Sequence, residues 1–373
     1  MKASIYVHVP FCKSKCAYCD FESYAGKLDV ADEYISRVLS EAKRAKTEYG
    51  AFGVPSVFIG GGTPSLLSKE QIGRIVSGLS DLFTFEKDIE ITLEANPGTV
   101  DDQKLSYIKK TGVNRISFGA QAAQEHILKS LGRIHTWPDV EKAVKLSQDA
   151  GIGNINVDLM YALPGQTMGD FLESVKKAYT LGIKHLSLYS LILEEGTRLF
   201  ESAERGEVLI PGDEESVSMQ ESAIRLLDGI GMKRYEISNY AYPGYECRHN
   251  IVYWTRGNYL GLGCAAHSLM NEVRFLNPPF SSYMTGEEHI EKEAVDAIGR
   301  IEESIMLETR MTRGLDVEAF SKSFGGEITE KVLKQADKLI LAGYAERNER
   351  YLSFTREGMN IHNTLVVKLI EKL

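Results

Sequence analysis

The chain has 373 residues, of which 43% are hydrophobic and 25% charged, enough for one large domain and a smaller one around a substantial core. The net charge of −9 is spread along the sequence without a Lys/Arg-rich run, which argues against a nucleic-acid partner. The N-terminal apolar run is too short for a signal peptide, and no stretch of about eighteen uncharged apolar residues follows, so we expect a soluble cytoplasmic protein.

Predicted strands alternate with predicted helices from the N-terminus onward. Runs rich in β-branched residues predict six strands, at 3–9, 55–61, 89–96, 114–120, 155–163 and 185–193. Amphipathic stretches predict helices between them, among them 31–50, 68–83 and 170–182. This order indicates βαβ units and a parallel sheet, which a doubly wound sheet or a partial barrel would satisfy. Because the polar residues considered below fall at strand ends, where barrel enzymes place their chemistry, we expect the barrel.

Three cysteines follow the first predicted strand in VPFCKSKCAYCDF (9–21): Cys12, Cys16 and Cys19. Five cysteines, an odd number with three clustered, do not form a disulfide framework, and clustered thiols in a reducing compartment typically bind metal. A structural zinc site needs four ligands and only His8 lies nearby, so zinc is the less favoured alternative. Three thiolates on a four-iron cluster would leave one iron open to a small molecule.

Polar residues interrupt apolar context near the ends of the later predicted strands. The glycines of GGGTP (60–64) lack the GxGxxG spacing of a dinucleotide site but allow close backbone approach to a ligand. Glu94, Gln121, Arg133 and Asp158 each follow or end a strand or its loop. One such residue could be a surface or capping group, whereas four at successive strand ends predict a shared site.

The pattern changes near residue 236, where 236–295 is predicted to be loop-rich. His249 in HNIVYW (249–254) offers an imidazole nitrogen to iron, and Tyr253 and Trp254 offer flat apolar faces of the kind that line a macrocycle pocket. Asn250 would orient His249 or cap a turn, and the alternative for His249 is a packed core histidine. His267 is the nearest second iron ligand, whereas we expect Cys247 and Cys264 to be small buried hydrophobes.

Residues 296–373 predict a small helical unit ending in a hairpin, similar to a winged helix. The unit holds 12 Lys and Arg against 13 Asp and Glu, so it lacks the basic face that DNA binding needs. We expect it to pack or dock, and we divide the chain into a barrel domain at 1–235 and a C-terminal domain at 236–373.

CxxxCxxC with Tyr18 before the last cysteine closely resembles the signature of the radical S-adenosylmethionine (SAM) superfamily, whose fold is a partial (β/α)6 barrel. The resemblance implies a [4Fe-4S] cluster on Cys12, Cys16 and Cys19, SAM on its open iron, and an external electron donor. It places Tyr6 near the cluster and the SAM methyl group. It implies that the ribose and the methionine end of SAM are contacted by Glu94, Gln121, Arg133 and Asp158. The implied SAM pocket, that of the coproporphyrinogen dehydrogenase-like subgroup, comprises Tyr6, Gly61, Gly62, Thr63, Glu94, Gln121, Arg133 and Asp158.

Two features distinguish between branches of that subgroup. The oxygen-independent coproporphyrinogen dehydrogenases carry CxxxCxxCxC, whereas Phe21 stands here at the position of the fourth cysteine. HNIVYW fits the HNxxYW motif typical of the HemW haem chaperones. That resemblance implies haem bound through His249, Asn250, Tyr253 and Trp254 and delivered to an acceptor haemoprotein. It leaves open a homodimer and peripheral membrane association through a partner.

Two alternatives stand beside the haem chaperone. One is a radical coproporphyrinogen III dehydrogenase that decarboxylates two propionates, which the shared scaffold favours and Phe21 disfavours. The other is a non-enzymatic protein with a structural metal and a docking surface.

Overall fold

The computed structural model describes residues 1–286 and 291–373. In its N-terminal part, strands and helices alternate as the sequence predicts, and the six predicted strands are confirmed. The strands are β1 (Ser4–Val9), β2 (Phe11–Cys12), β3 (Tyr24–Ala25), β4 (Gly53–Gly61), β5 (Thr84–Ala95), β6 (Arg115–Gln121), β7 (Asn154–Tyr161) and β8 (His185–Ser190). The helices are α1 (Ala31–Tyr49), α2 (Lys69–Leu82), α3 (Asp102–Lys110), α4 (Glu125–Ser130), α5 (Trp137–Asp149), α6 (Met168–Thr180), α7 (Arg198–Glu204) and α8 (Asp213–Gly229).

Local sequence explains where several of these helices begin. Ser68 and Gln71 form a capping box before α2, and Thr167 and Asp170 form another before α6. Each box satisfies backbone N–H groups that the first turn of a helix leaves free. Both predicted helix starts therefore lie within two residues of the observed ones.

Residues 236–295 are predicted to be loop-rich, yet much of the chain after α8 is regular. It holds β9 (Lys233–Arg234), β10 (Asn239–Ala241), α9 (Arg248–Trp254), β11 (Tyr259–Leu262), β12 (His267–Met270), β13 (Val273–Leu276), α10 (Phe280–Thr285) and β14 (Glu291–Ala294). These elements are too short for helical or strand periodicity to develop, and two of them, β10 and β11, pair with the distant strands β8 and β1. HNIVYW accordingly lies within helix α9 rather than in a loop.

The central strands form one curved sheet. Among the described residues its order is β14-β13-β12-β11-β1-β4-β5-β6-β7-β8-β10-β9. Neighbours from β1 and β4 through β8 are parallel, and β11 extends them in parallel beside β1. β10 and β12 pair antiparallel at the two sides, which makes the sheet mixed. The architecture is the α/β fold with a partial barrel that the sequence analysis expects.

The two faces of the barrel strands differ in polarity because successive side chains point to opposite sides. Apolar residues on the outer face, such as Ile59, Phe118 and Val157, are fully buried in the main core that includes the helices. The inner face carries polar residues that contact one another, mostly across neighbouring strands: Ser4, Ser56, Thr92, Arg115, Ser117, Asn156, Asp158, His185 and Ser187. It also carries Glu90, which bonds residues 247–249, and Glu94, which bonds the Gly61 N–H. The barrel interior is therefore built for hydrogen bonding.

The C-terminal elements surround a core of their own. They are α11 (Ala297–Glu308), β15 (Leu315–Asp316), α12 (Val317–Phe324), α13 (Gly326–Leu341), β16 (Ala345–Arg347), β17 (Tyr351–Phe354), α14 (Arg356–Asn360) and α15 (His362–Ile370). Ile305, Ala336, Leu352 and Leu369 are fully buried within that core. The β16–β17 hairpin is antiparallel as predicted, and two further helices follow it. The domain boundary after residue 235 stays a prediction. In the described part of the chain, no helix combines the length and hydropathy needed to cross a membrane.

Candidate functional site

The cysteine loop is fixed at the carboxyl ends of the barrel strands. It leaves β1 and returns through the parallel pairing of β2 with β3. At its centre, the Ala17 N–H donates to the carbonyl of Leu131 and the Leu199 N–H donates to the carbonyl of Ala17, both at 2.9 Å. These bonds tie the loop to the ends of α4 and α7, so the three cysteines stay together at the mouth of the barrel.

A series of contacts joins two of these cysteines through polar side chains from the loops after β4, β5 and α4. Cys12 Sγ lies 3.7 Å from Thr63 Oγ1, which accepts a hydrogen bond from Asn96 Nδ2 at 2.8 Å. Asn96 Oδ1 accepts from Arg133 Nη2 at 2.6 Å, and Arg133 Nη1 donates to Cys16 Sγ at 3.5 Å. Thr63 and Arg133, predicted separately from sequence, therefore meet here. Asn96 connects them and was not predicted.

The glycines of GGGTP permit close contact between the loop after β4 and the cysteine loop. A Cβ at Gly62 would lie 2.7 Å from the carbonyl oxygen of Phe11 and 3.0 Å from Cys12 Sγ. Gly61 has a φ of +112° and its Cβ would lie 2.6 Å from the His8 ring. A side chain at Gly62 would displace the start of the cysteine loop, and one at Gly61 would displace the His8 ring and take on a strained backbone.

Glu94 and Asp158 lie inside the barrel, both half-buried. Glu94 Oε2 accepts a hydrogen bond from the Gly61 N–H at 3.0 Å. Asp158 accepts from Asn156 Nδ2 at 2.8 Å and from Ser117 Oγ at 3.0 Å. Burial, and then the neighbouring Asp158, raise the pKa of Glu94 to about 8, and burial also raises the pKa of Asp158. Two carboxyls in such an interior favour a ligand that supplies hydroxyl or ammonium donors.

Tyr6 and Gln121 complete the predicted SAM residues. The Tyr6 hydroxyl lies 3.0 Å from His8 Nδ1, and His8 Nε2 donates to the Glu22 carbonyl at 2.8 Å. Both His8 nitrogens are thus occupied, which leaves none for a zinc ion. Gln121 has a φ of +66° at a bulge between β6 and β7 that redirects the chain above the strand end.

The donor set at the mouth fits an iron–sulfur cluster. Cys12, Cys16 and Cys19 are free thiols and half-exposed, so they are accessible from the mouth. Burial raises the pKa of Cys12 and Cys19, and the guanidinium of Arg133 supplies a positive charge beside the thiols. Thiolates bound to metal would be stabilised by that charge. Among the described residues, no three His, Cys, Asp or Glu side chains converge on a site for a single metal ion.

His249 lies at the opposite, amino end of the barrel strands and is only 1% exposed. Its Nδ1 is 3.0 Å from Ser56 Oγ and its Nε2 is 2.9 Å from the Tyr253 hydroxyl. Burial, and then the positive charge of Arg115, lower the pKa of His249 to about 3, so the imidazole is neutral. A neutral imidazole is the form that binds iron, but both nitrogens are occupied here.

Glu90 on β5 holds the start of α9. Its two carboxylate oxygens accept from the N–H groups of Arg248 and His249, each at 3.2 Å. The thiol of Cys247 donates to the same carboxylate at 3.5 Å. A buried carboxylate thus satisfies the free N–H groups at the beginning of the HNIVYW helix, which sequence reasoning missed.

The remaining residues of the haem prediction lie around this helix. Asn250, Tyr253 and Trp254 are half-buried, and the Arg310 guanidinium lies 4.4 Å from the centre of the Trp254 ring. His267 is exposed at the start of β12. Cys247 and Cys264 are fully buried, as expected for small hydrophobes.

One signal in the sequence could have located the unpredicted residues. Segments such as IEITLE (89–94) and NINVDL (154–159) alternate polar with apolar residues. Such alternation is usually typical of strands with one face in water. Here the polar face points into the barrel, and it carries Glu90, Ser117, Asn156 and His185.

Comparisons with known families agree with this arrangement. The model of the radical SAM superfamily matches residues 6–178, and that of the HemN C-terminal domain matches residues 295–361. A heme chaperone HemW from Lactococcus lactis is 33% identical over 371 residues, covering 98% of this chain and 97% of the relative. The heme chaperone HemW of Escherichia coli is 35% identical over 372 residues, covering 97% of each chain.

A solved structure shares the fold along the whole chain. The coproporphyrinogen III oxidase HemN from Escherichia coli, described as a radical SAM enzyme, superposes with a TM-score of 0.84. The match covers 100% of this chain and 91% of that one at 21% sequence identity. At this identity the likeness establishes the fold.

Proposed function

Because the chain belongs to the HemW family of radical SAM proteins, we propose that it is a haem chaperone, which binds haem and passes it to an acceptor haemoprotein in the cytoplasm. The observation that carries the proposal is that one barrel holds both sites. The three-thiol loop, with the cationic Arg133 beside it, lies at the mouth, and the complete HNIVYW helix lies at the amino end of the barrel strands, which we call the floor. The two ends would serve different ligands.

The mouth is the proposed site of a [4Fe-4S] cluster and SAM. Cys12, Cys16 and Cys19 would hold the cluster, which when bound supplies an electron, received from an external donor, to SAM. The accessible surfaces of Glu94 and Asp158 face the barrel interior, where they would accept hydrogen bonds from SAM hydroxyl and ammonium groups. Arg133, held by Asn96, would face the SAM carboxylate beside the cluster. Tyr6, Gly61, Gly62, Thr63 and Gln121 would shape the rest of the pocket.

The floor is the proposed site of haem. The half-buried Tyr253 and Trp254 offer aromatic surface on α9, and Asn250 lies between them and His249 along the helix. For His249 to bind the haem iron, its Nε2 must exchange the Tyr253 hydroxyl for the metal, since Nδ1 faces Ser56 inside the barrel. Haem binding would therefore involve a local rearrangement of α9.

Anaerobic reconstitution with iron and sulfide, followed by haem titration and transfer to an apo-haemoprotein, tests the proposal. Wild-type protein should bind haem and pass it to the acceptor, and His249→Ala should bind it at least tenfold more weakly. Equal haem affinity in the two proteins would remove His249 from the site. Absence of haem binding by the wild type would overturn the chaperone function.

The same preparation tests the dehydrogenase alternative, which the shared fold favours. Phe21 is 63% exposed after Cys19, where those enzymes place a fourth cysteine. We expect no conversion of coproporphyrinogen III to protoporphyrinogen. Turnover with this substrate would restore the alternative.

A further inference from the structure

A hydrogen-bonded chain crosses the barrel interior from its floor to Asp158. The Tyr235 hydroxyl lies 2.9 Å from His185 Nε2, and His185 Nδ1 lies 2.7 Å from Asn156 Oδ1. Asn156 Nδ2 donates to Asp158 Oδ1 at 2.8 Å and to Ser117 Oγ at 2.7 Å. The Ser117 hydroxyl donates to Asp158 Oδ2 at 3.0 Å. His185 is 0% exposed and Asn156 2% exposed, so water does not compete for these bonds.

With the Asn156 amide oriented as in the structure, the direction of every bond in the chain follows. An amide oxygen only accepts, so His185 must carry its proton on Nδ1 to donate to Asn156. His185 is neutral because burial lowers its pKa well below the usual value, so Nε2 accepts from the Tyr235 hydroxyl. All donors therefore point toward Asp158, whose carboxylate accepts at both oxygens.

The floor end of the chain touches the HNIVYW helix. The Tyr235 oxygen accepts from the N–H of Cys247, the residue immediately before α9, at 3.3 Å. Accepting this bond strengthens the hydroxyl as a donor to His185. Movement of α9 away from Tyr235 would break the bond from the Cys247 N–H. The Tyr235 hydroxyl would then be a weaker donor to His185, and a lone pair on its oxygen would become free.

The chain has a second arrangement in which each donor is reversed. With the His185 proton on Nε2, the ring donates to the Tyr235 oxygen and Nδ1 accepts. Asn156 must then rotate its amide, so that Nδ2 donates to His185 and Oδ1 faces Asp158. Asp158 loses a donor and gains an adjacent partial negative charge, so its carboxylate takes up a proton more readily, and burial already raises its pKa. The protonated carboxyl is a poorer acceptor for SAM hydroxyls than the carboxylate of the first arrangement. These two arrangements are the discrete states that coupling between sites requires.

Resting on the proposed function, we propose that Tyr235 and His185 are positioning residues that couple haem binding on α9 to SAM binding at Asp158. Haem that displaces α9 favours the reversed arrangement and weakens SAM binding. By thermodynamic reciprocity, SAM weakens haem binding by the same factor.

The test measures SAM binding by reconstituted protein with and without saturating ferric haem, by equilibrium dialysis of labelled SAM. In wild-type protein, haem should raise the SAM dissociation constant at least fivefold, the lower end of typical coupling. Tyr235→Phe removes the hydroxyl that joins α9 to His185. Its SAM dissociation constant should be the same with and without haem, because haem on α9 can no longer act on His185.

Tyr240→Phe is the matched control. Tyr240 is 1% exposed on the adjacent β10, and its hydroxyl has no hydrogen-bond partner within the described part of the chain. This variant should keep the full coupling, because it makes the same chemical change without breaking the chain.

The outcomes separate this inference from the proposed function. Failure of wild-type protein to bind haem or SAM contradicts the proposed function. Binding of both with no coupling, tighter SAM binding with haem, or equal coupling in Tyr235→Phe overturns the inference. If Tyr235→Phe does not fold, ring-nitrogen NMR of wild-type His185 decides. The proton should move from Nδ1 to Nε2 on addition of zinc protoporphyrin, and an unchanged tautomer overturns the coupling.

Discussion

The His249 imidazole and the Cys12 thiol lie at opposite ends of one barrel. His249 bonds Ser56 near the amino end of β4, whereas Cys12 contacts Thr63 just beyond its carboxyl end. The five steps along β4 from Ser56 to Gly61 alone span about 16 Å at roughly 3.3 Å per residue. The proposed haem and cluster sites are therefore separate, and each can be altered without direct contact with the other.

Cys16→Ala should abolish the cluster while haem affinity stays within about twofold of wild type, because no residue of α9 touches Cys16 in the described structure. Iron and sulfide content and haem titration measure the two effects. Cys264→Ala removes a buried thiol outside the loop and should retain the cluster. Parallel loss of haem binding and cluster in Cys16→Ala would indicate one shared site.

Tyr253→Phe should raise haem affinity about fivefold, because it removes the hydroxyl that competes with iron for His249 Nε2 and such a bond is worth about 1 kcal/mol. Absorbance titration measures the affinity. His249→Ala on the same background should abolish the gain. Reduced affinity in Tyr253→Phe would show that the hydroxyl helps to bind haem instead.

Asn96→Ala should weaken SAM binding up to about tenfold without lowering iron content, because Arg133 loses one of the two acceptors, Asn96 and the Gly119 carbonyl, that orient it beside Cys16. Asn96→Asp keeps an acceptor for Arg133 and loses only the donor to Thr63, so this variant should lose less SAM affinity than Asn96→Ala. Calorimetric titration of reconstituted protein measures both. Equal losses would assign the effect to Thr63 rather than to Arg133.

Glu90→Gln should lower the free energy of unfolding by about 1–3 kcal/mol, because it replaces the charged acceptor of two buried N–H groups at the start of α9. Urea unfolding measures the change. Glu86→Gln, earlier on the same strand, removes a carboxylate paired with the exposed Lys2 and should cost less than about 1 kcal/mol. An unchanged free energy of unfolding in Glu90→Gln would mean that the N–H groups at the start of α9 do not need a charged acceptor.

Glu94 should make the SAM-free protein less stable as the pH rises from about 5 to 8. Its folded pKa of about 8 exceeds the unfolded value of 4.5, so the native state retains a proton that the unfolded state has lost. The stability it contributes is complete below pH 4.5 and is lost toward pH 8, at up to about 1.4 kcal/mol per pH unit.

Unfolding measured across this pH range should show wild type losing stability relative to Glu94→Gln. Glu70→Gln, at an exposed position of α2, is the control for loss of a surface carboxylate. Parallel pH profiles for wild type and Glu94→Gln would contradict the raised pKa.

Sequence patterns predicted the barrel strands well because each one is a short β-branched run between helices with local capping signals. The same reasoning failed on 236–295, where the elements are too short for a clear period and where β10 and β11 join the sheet by pairing with the distant strands β8 and β1. Asn96 escaped notice because a single polar residue at a strand end has no distinguishing pattern. Its importance lies in the two partners, Thr63 and Arg133, that the fold brings to it.

Local patterns in the sequence predict the alternating strands and helices, the three-thiol loop and the HNIVYW motif, because spacing and alternation are local properties of the chain. The three-dimensional arrangement was needed to show that the motif lies at the opposite end of the barrel from the thiols, that both His249 nitrogens are occupied, and that a hydrogen-bonded chain joins Tyr235 to Asp158. Those relationships depend on side chains from strands far apart in sequence meeting inside the barrel, where the exclusion of water makes each hydrogen bond directional and costly to leave unmade.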